Sequence, residues 1–262
     1  MTSRKPRKNR TNKVERDQKF LRRVFVITLI PVSLAGVIFL FLSLYLFLRG
    51  APFLHLRETT IQGNNRISTE EILTITGLTE KPNILTVDIK ALNNRLGQHP
   101  WIEKSTIRRV LPDGIRITIH ERSPLAIVHL GKLYFIDENR VIFDEVDPGE
   151  KSAYPILTGI NREDIENNDR NTSRLLRATL HLLKASRGHP ILSYQSISQI
   201  DLDKAVGLLV YTTAQGTEFR LGFSNFERKL QRLSKIWPLV RSLRISTVDC
   251  TIPGRIIVQK KG

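Results

Sequence analysis

An uncharged stretch of 25 residues, at positions 24–48, constrains this chain more than any other feature of its sequence. Eighteen of these residues are Leu, Ile, Val or Phe. As an α-helix rising about 1.5 Å per residue, the stretch would extend roughly 37 Å, which exceeds the ~30 Å hydrocarbon core of a bilayer. Pro31 and Gly36 are tolerated in helices of this kind. The stretch therefore predicts a single transmembrane helix over residues 24–48.

The segment that precedes this helix is strongly basic. Residues 1–23 hold ten Lys or Arg and two acidic residues. This excess of positive charge predicts a cytoplasmic tail, with residues 49–262 on the far side of the membrane. The alternatives are a nucleic-acid-binding arm, a cleaved signal peptide and an export signal at Arg22 and Arg23. The adjacent helix already accounts for the charge, and its apolar core is longer than the roughly 7–15 residues of a signal peptide.

Residues 53–122 are predicted to fold as a strand, two helices and two strands. The first strand is expected over residues 54–61. Helices are predicted to begin after Ser68, which opens a capping box, and after Asp88. Two strands follow, over residues 105–110 and 115–120. The last strand has isoleucine at alternate positions, the pattern of a half-buried strand: Ile115, Ile117 and Ile119.

Residues 123–262 are predicted to form a β-rich domain with two or more helices. Periodic leucines indicate a helix over residues 172–187. A second helix is expected over residues 226–243, behind a capping box of Ser224 and Glu227, with a kink or break at Pro238. Short apolar, β-prone segments predict strands over residues 125–128, 133–136, 141–143, 197–202, 208–212, 218–221 and 255–260. The fold class is therefore α+β, behind one transmembrane helix.

The sequence shows no clear pattern of a catalytic, cofactor-binding or metal-binding site. Cys250 is the only cysteine, which excludes an internal disulfide and a cysteine-based zinc cluster. None of the six histidines has a partner at the spacing of a helical metal site, and no glycine-rich phosphate loop is present. We therefore expect no cofactor, no metal ion and no enzymatic activity. An active site assembled from distant residues is the alternative.

The segment over residues 255–260 is instead suited to binding another chain. It is apolar and β-prone, and a strand at the edge of a sheet has unpaired N–H and C=O groups. Such an edge can accept a strand from a partner, whose backbone supplies affinity while side-chain pockets supply specificity. The alternative is an ordinary inner strand of the second domain.

An ordered series of short motifs resembles the FtsQ/DivIB family of bacterial cell-division proteins. The first series resembles a polypeptide-transport-associated (POTRA) domain and comprises IQGN (61–64), NILTVD (83–88), PWIEK (100–104), RRVLPD (108–113) and ERSPLA (121–126). The second series matches the family's β domain with YFID (134–137), PILTG (155–159), LG (221–222) and KL (229–230). The implied organisation is a cytoplasmic tail (1–23), a transmembrane helix (24–48), a POTRA domain (53–122) and a β domain (123–262).

The resemblance implies a non-enzymatic scaffold of the division machinery, in the bacterial inner membrane at the division septum. It implies a single-pass protein with a cytoplasmic N-terminus and periplasmic domains. In the family, the last strands of the β domain take up a strand from FtsB, which is paired with FtsL. The POTRA module is associated with recruitment. The partners expected here are therefore FtsB-like and FtsL-like proteins and other divisome components, without nucleic acid.

The resemblance also implies which residues bind the partner. They surround the last strand: Ile252, Gly254, Arg255, Ile256, Ile257, Val258 and Gln259. The family's late motif, an Asp followed by a hydrophobic residue, an Arg and an aromatic residue, begins here at Asp249. Thr251 therefore lacks the arginine and Ile252 lacks the aromatic ring, so a salt bridge centred on arginine would need Arg255 as a substitute.

Two other functions are compatible with parts of the sequence. A moderately basic exterior tethered near the cell wall would suit a membrane-anchored enzyme that binds or cleaves peptidoglycan. An outer-membrane assembly factor would share the POTRA module. It would also need tandem modules or a barrel of alternating strands, and the sequence shows neither.

Overall fold

The computed structural model describes residues 11–147, 154–213, 216–240 and 244–261. Residues 1–10 of the predicted tail and residues 241–243, the end of the helix predicted over residues 226–243, lie outside this description. The chain divides into two compact units. Unit 1 comprises Met1–Asn64, Ser68–Leu96 and Ser105–Ile119. Unit 2 comprises Asn65–Ile67, Gly97–Lys104 and His120–Gly262.

Unit 1 begins with a long helix, α1 (Thr11–Gly50). Its segment Leu29–Gly50 is long and apolar enough to cross a membrane by length and composition, as the sequence predicts. The helix begins before the apolar stretch, because the basic residues that precede it are good helix formers. Pro31 lies inside the helix, and the Ser33 hydroxyl donates a 2.9 Å hydrogen bond to the carbonyl oxygen of Ile30.

After α1, the chain forms the predicted strand–helix–helix–strand–strand order. The elements are β1 (Glu58–Gln62), α2 (Thr69–Thr76), α3 (Ile89–Gly97), β2 (Ile102–Val110) and β3 (Gly114–Glu121). They include a three-stranded sheet in the order β1-β3-β2, with β1 parallel to β3. Strand β1 begins four residues later than predicted, because Pro52–Leu54 form a 3-10 turn. Strand β2 begins three residues earlier than predicted.

Local signals in this part of the sequence set the element boundaries. The Ser68 hydroxyl accepts the N–H of Glu71 at 3.1 Å, and the Asp88 carboxylate accepts the N–H groups of Lys90 and Ala91. Both predicted N-caps are therefore confirmed. At the end of β1, Gly63 has a φ of 83°, and a Cβ there would lie 2.1 Å from the carbonyl oxygen of Ile119, so only glycine fits.

The alternating isoleucines of β3 are buried as predicted. Ile115, Ile117 and Ile119 are at most 2% exposed, while Arg116 between them is exposed. Helices α2 and α3 contribute buried residues to the same unit, among them Ile72 and Leu96. The core of unit 1 therefore follows from the period-2 pattern of β3 and the apolar stripes of the two helices.

Unit 2 contains a large mixed sheet. Its strands are β4 (Pro124–Leu130), β5 (Lys132–Asp137), β6 (Ile142–Glu145), β7 (Ile156–Thr158), β8 (Ile197–Asp203), β9 (Gly207–Thr212), β10 (Glu218–Gly222), β11 (Ile245–Asp249) and β12 (Ile257–Lys260). Among the described residues they form one nine-stranded sheet in the order β12-β11-β10-β9-β8-β7-β4-β5-β6. Most neighbours are antiparallel, but the pairs β4–β7, β7–β8 and β10–β11 are parallel.

Helices cover part of this sheet. They are α4 (Arg162–Glu166), α5 (Arg170–Ala185) and α6 (Phe226–Val240). Helix α5 packs against β8, β9 and α6. Residues of α5 and α6 are buried in one apolar cluster with inward-facing residues of the strands, including Leu182, Phe219 and Leu233. The observed architecture confirms the predicted α+β class with a β-rich second domain.

Several predicted elements of unit 2 need correction. Strands β7 and β11 were not predicted, because each is short and pairs in parallel with strands distant in sequence. Helix α4 (Arg162–Glu166) lies in the polar stretch over residues 161–171, where no helix was predicted. Helix α6 begins at Phe226, one residue later than a cap at Ser224 requires, and continues through Pro238. Strand β12 begins at Ile257 instead of residue 255.

Two charged residues of the ERSPLA motif have structural partners in unit 2. The Glu121 carboxylate accepts the backbone N–H groups of Asn65, Arg66 and Ile67 at 2.9–3.0 Å. Burial raises the pKa of Glu121, but the hydrogen bonds from these N–H groups outweigh burial and lower the pKa below its usual value. Arg122 forms a largely buried ion pair with Asp137. The motif therefore has structural roles.

Both tryptophans pack in unit 2. Trp101 is buried, contacts the edge of the Phe135 ring and donates its indole N–H to Asp144. Trp237 is partly buried against the apolar cluster, with its ring 6.1 Å from that of Phe219. Both rings therefore contribute to packing in this unit.

The buried isoleucines of β3 lead to a stability prediction. Replacing Ile117, which is 0% exposed, with glutamate buries a charge without a partner. We expect a loss of about 3–5 kcal/mol in the free energy of unfolding of unit 1. Urea unfolding of the detergent-solubilised chain, monitored by limited proteolysis at each urea concentration, measures this loss. The matched variant Arg116→Glu alters an exposed position on the same strand and should unfold like the parent, and equal losses in both variants would contradict the assignment.

Candidate functional site

Strand β12 lies at one end of the unit 2 sheet. It pairs in antiparallel fashion with β11, with Val248 opposite Val258 and Asp249 opposite Ile257. Among the described residues, no strand pairs with the other side of β12. An edge of this kind has a row of N–H and C=O groups available to another chain.

The hydrogen bonds around β11 show which groups of β12 point outward. The N–H of Cys250 donates to the carbonyl oxygen of Arg220 on the β10 side at 2.9 Å, so the backbone groups of Asp249 face β12. Ile257, opposite Asp249, therefore faces β11. The N–H of Lys261 donates to the carbonyl oxygen of Arg244 at 2.7 Å. Lys261 is four residues after Ile257, an even number, so its backbone groups point the same way as those of Ile257.

By this alternation, the backbone groups of Ile257 and Gln259 face β11. Those of Ile256 and Val258 face away from the sheet, as does the N–H of Lys260. The carbonyl oxygen of Lys260 instead accepts a hydrogen bond from the Ser246 hydroxyl of β11 at 3.3 Å. The side chains alternate as well: Ile256 and Val258 are partly buried against the apolar cluster, whereas Ile257 and Gln259 are exposed. The strand is therefore attached to the core by one face while alternate backbone groups remain open at its edge.

A turn precedes this strand and contains four of the seven predicted partner-binding residues. Only Ile257, Val258 and Gln259 lie in β12 itself, and the turn holds the others: Ile252, Gly254, Arg255 and Ile256. The N–H of Arg255 donates to the carbonyl oxygen of Ile252 at 3.3 Å. Ile252 is 43% exposed, and Gly254 has a φ of 82°, which favours glycine.

The residue at the family's arginine position has a local partner. The Thr251 N–H and hydroxyl donate to the same Asp249 carboxylate oxygen, at 2.7 and 2.6 Å. This hydrogen bonding closes the first part of the turn and leaves Thr251 half-buried. Thr251 thus stabilises the turn. Arg255, which follows the turn, is exposed.

A cavity of about 650 Å³ lies beside the turn and includes Ile252 in its lining. Four basic residues line it: Arg174, Arg228, Lys229 and Arg232. No sequence pattern had marked these four residues as functional. The sequence pattern that could have indicated them is the four-residue spacing of Arg228 and Arg232 on the polar side of α6. This pattern is also common on solvent-exposed helices and so does not indicate a site by itself.

The charges around this cavity have different environments. Lys229 is partly buried and donates from Nζ to the carbonyl oxygen of Leu221 at 2.5 Å. Burial lowers its pKa. The Arg174 guanidinium lies 4.8 Å from the centre of the Phe223 ring. The cavity therefore has a positive lining with one partly buried lysine already bound to the backbone, and it suits an acidic side chain.

Cys250 lies between the cavity and the apolar cluster and is 3% exposed. Burial raises the pKa of its thiol to about 11. Over the described ranges, no group of three His, Cys, Asp or Glu side chains is placed to hold a metal ion. The arrangement can bind an extended chain through its backbone and a nearby acidic group through the cavity.

The fold and the edge strand define a class of protein with one candidate membrane helix, a POTRA domain and a β-rich domain. A family model for "POTRA domain, FtsQ-type" matches residues 54–122, and one for "Cell division protein FtsQ/DivIB, C-terminal" matches residues 126–250. The chain belongs to the FtsQ/DivIB family of cell-division proteins. Strand β12 follows the last residue that these models match.

Relatives from several bacteria agree with this assignment. The cell division protein FtsQ of Syntrophotalea carbinolica is 30% identical over 212 residues, which cover 80% of this chain and 75% of the relative. FtsQ of Geotalea daltonii is 28% identical, over 83% of this chain and 80% of the relative. The cell division protein DivIB of Geobacillus kaustophilus is 25% identical, over 56% and 54%.

The raised pKa of Cys250 predicts a slow reaction with alkylating agents. At pH 8, a thiol with a pKa of about 11 has about 100-fold less thiolate than one with a pKa of 9.0. We expect iodoacetamide to modify the folded chain at least ~100-fold more slowly than the urea-unfolded chain. Mass spectrometry of timed samples measures both rates.

A matched variant controls for access of the reagent. In Cys250→Ser/Ile257→Cys, the thiol occupies an exposed position on β12. This variant should react at an ordinary rate when folded. Similar rates for the folded parent and this variant would contradict the buried placement of Cys250.

Proposed function

We propose that this protein is a non-enzymatic scaffold of the bacterial division machinery, anchored in the inner membrane by α1. Membership of the FtsQ/DivIB family supports a role in cell division. In this proposal the protein binds FtsB-like and FtsL-like partners through its extracytoplasmic part and helps to organise septal wall synthesis.

The observation that carries the proposal is the open edge of β12. Ile256 and Val258 direct N–H and C=O groups away from the sheet, and Lys260 directs its N–H the same way, where an incoming strand can pair with them. The exposed Ile252 and the basic cavity beside it supply side-chain recognition. They favour a partner strand that carries an apolar and an acidic residue.

The proposed site includes all seven predicted residues. Ile256 and Val258 would pair with the partner through their outward backbone groups. Ile257 and Gln259 are bonded to β11 and present exposed side chains beside that edge. Ile252 lines the cavity, and Gly254 and Arg255 belong to the turn that follows it. Arg255 is exposed, and in the proposal it replaces the arginine absent at position 251.

Proline at position 258 tests the backbone part of the proposal. Val258→Pro removes an outward N–H, while the hydrogen bonds of Ile257 and Gln259 to β11 remain. We expect the affinity for an FtsB-like and FtsL-like pair to fall about tenfold or more, since an acceptor on the partner strand loses its donor. Titration of the solubilised full chain with the partner pair measures the affinity.

The control variant is Val258→Ala, which removes side-chain contacts but keeps the N–H. It should retain most of the affinity. Equal losses in the alanine and proline variants, with both folded, would show that side-chain packing is responsible. Unchanged binding by Val258→Pro would contradict strand addition at this edge.

The orientation of the chain is tested separately. The basic segment before the apolar helix predicts that residues 49–262 lie in the periplasm. Protease added to spheroplasts should therefore degrade this part and leave a small fragment that contains the tail and α1. A cytoplasmic marker protein, which must remain intact, is the control, and protection of residues 49–262 would contradict the proposed topology.

A further inference from the structure

Unit 1 has exposed apolar side chains outside α1, at positions that the family assignment does not explain. Among its described residues, four large apolar side chains beyond α1 are more than 40% exposed: Phe53, Leu85, Val110 and Leu111. Leu111 is the most exposed of them at 67%. Exposed apolar side chains that cluster on one part of a surface mark a contact with a membrane or another molecule.

The turn that carries Leu111 lies at the end of the sheet that follows α1. Strand β1 runs parallel to β3, and its first residue, Glu58, is paired with Gly114. The N–H groups of Arg57 and Glu58 both donate to the carbonyl oxygen of Asp113, at 2.9 and 3.3 Å. The β2–β3 turn is therefore beside the start of β1, only a few residues after the membrane-helix candidate.

The segment that carries Leu85 is bound to the end of α1. The Asn83 amide donates to the carbonyl oxygens of Leu48 and Arg49, at 3.2 and 2.8 Å. These carbonyls belong to the last turn of the helix, where no intrahelical donor is available. The oxygen of the same Asn83 side chain accepts the N–H of Leu85 at 2.9 Å. One buried asparagine thus links the helix end to this segment.

Arg109 joins the end of β2 to the same segment. Its guanidinium donates to the carbonyl oxygens of Ile84 and Val87, at 2.7 and 2.5 Å. The N–H of Ile84 in turn donates to the carbonyl oxygen of Leu54 at 2.9 Å, next to Phe53. All four exposed apolar residues therefore belong to one hydrogen-bonded end of unit 1, which we name the helix-proximal end.

We propose that the helix-proximal end of unit 1, with Phe53, Leu85, Val110 and Leu111, inserts into the headgroup region of the bilayer that α1 spans. This inference rests on the proposed membrane anchorage. Phe53 is three residues beyond Gly50, the last residue of the membrane-helix candidate, which corresponds to about 5 Å along a helix. Apolar groups at interfaces insert about 5–10 Å into the headgroup and acyl boundary.

Continuity with the membrane helix identifies the lipid bilayer as the occupant of this surface. Besides Arg109, the bases near these residues in sequence include Arg49, Arg57 and Lys81, which suits contact with lipid phosphates. Two acids, Glu80 and Asp113, lie nearby as well. Apolar insertion, and not net charge, therefore carries the proposed contact. Because Asn83 holds the helix end, the contact would fix the tilt of unit 1 relative to the membrane.

Fluorescent labels at three introduced cysteines test the inference in the full chain. Leu111→Cys lies at the helix-proximal end, and Glu70→Cys lies near the start of α2, after β1 has ended at the opposite side of the sheet. Phe41→Cys lies inside the apolar part of α1. The native Cys250 is buried and leaves the introduced cysteines as the accessible thiols.

Each variant is labelled with an environment-sensitive dye and reconstituted in vesicles of phosphatidylcholine and phosphatidylglycerol, with or without doxyl-labelled lipid as quencher. We expect strong quenching at positions 41 and 111 and little at position 70. Quenching at 41 but not at 111 would overturn the inference and leave the anchor intact. No quenching at 41 would overturn the anchorage as well. Equal quenching at 70 and 111 would overturn a contact confined to the helix-proximal end.

The paired variants Leu111→Ser and Glu70→Ser supply a second measurement. With a label kept at Leu85→Cys, the serine at position 111 should reduce quenching of that label because the end inserts less deeply. The serine at position 70 should leave it unchanged. The same quenching in both variants would contradict insertion by the apolar residues of this end.

Discussion

This structure depends on one constraint: every backbone N–H and C=O group needs a hydrogen-bond partner. Inside α1 these groups bond within the helix, the arrangement that permits a single chain segment to cross lipid. The last carbonyls of the helix have no such donor, and the Asn83 amide supplies one. At the edge of β12, alternate groups remain without a pairing strand among the described residues, and the proposed partner would supply it.

Affinity and specificity come from different parts of the candidate site. Backbone pairing at β12 tolerates many sequences, because it uses groups common to all residues. In the proposed interaction, the exposed Ile252 and the basic cavity lined by residues of α5, α6 and the turn would impose a choice of side chains on the partner. Thr251 is bonded to Asp249 and so keeps the turn closed without an arginine at that position.

The sequence predicted the features whose signals are local. The apolar stretch that indicated the membrane helix, the caps at Ser68 and Asp88 and the alternating isoleucines of β3 all correspond to observed elements. The sequence did not predict β11, whose place depends on parallel pairing with β10, nor the convergence of Arg174 and Arg228 on one cavity. These features require residues that are distant in sequence to meet, and no local periodicity records such contacts.

Hydrogen exchange at single residues of β12 measures the central claim most directly. In the free protein, the amides of Ile257 and Gln259 should be protected by β11, while those of Val258 and Lys260 exchange rapidly. Binding of an FtsB-like and FtsL-like pair should protect Val258 and Lys260 and leave the other two little changed. If the pair binds and the amides of Val258 and Lys260 still exchange rapidly, the partner does not extend the sheet and the account is wrong.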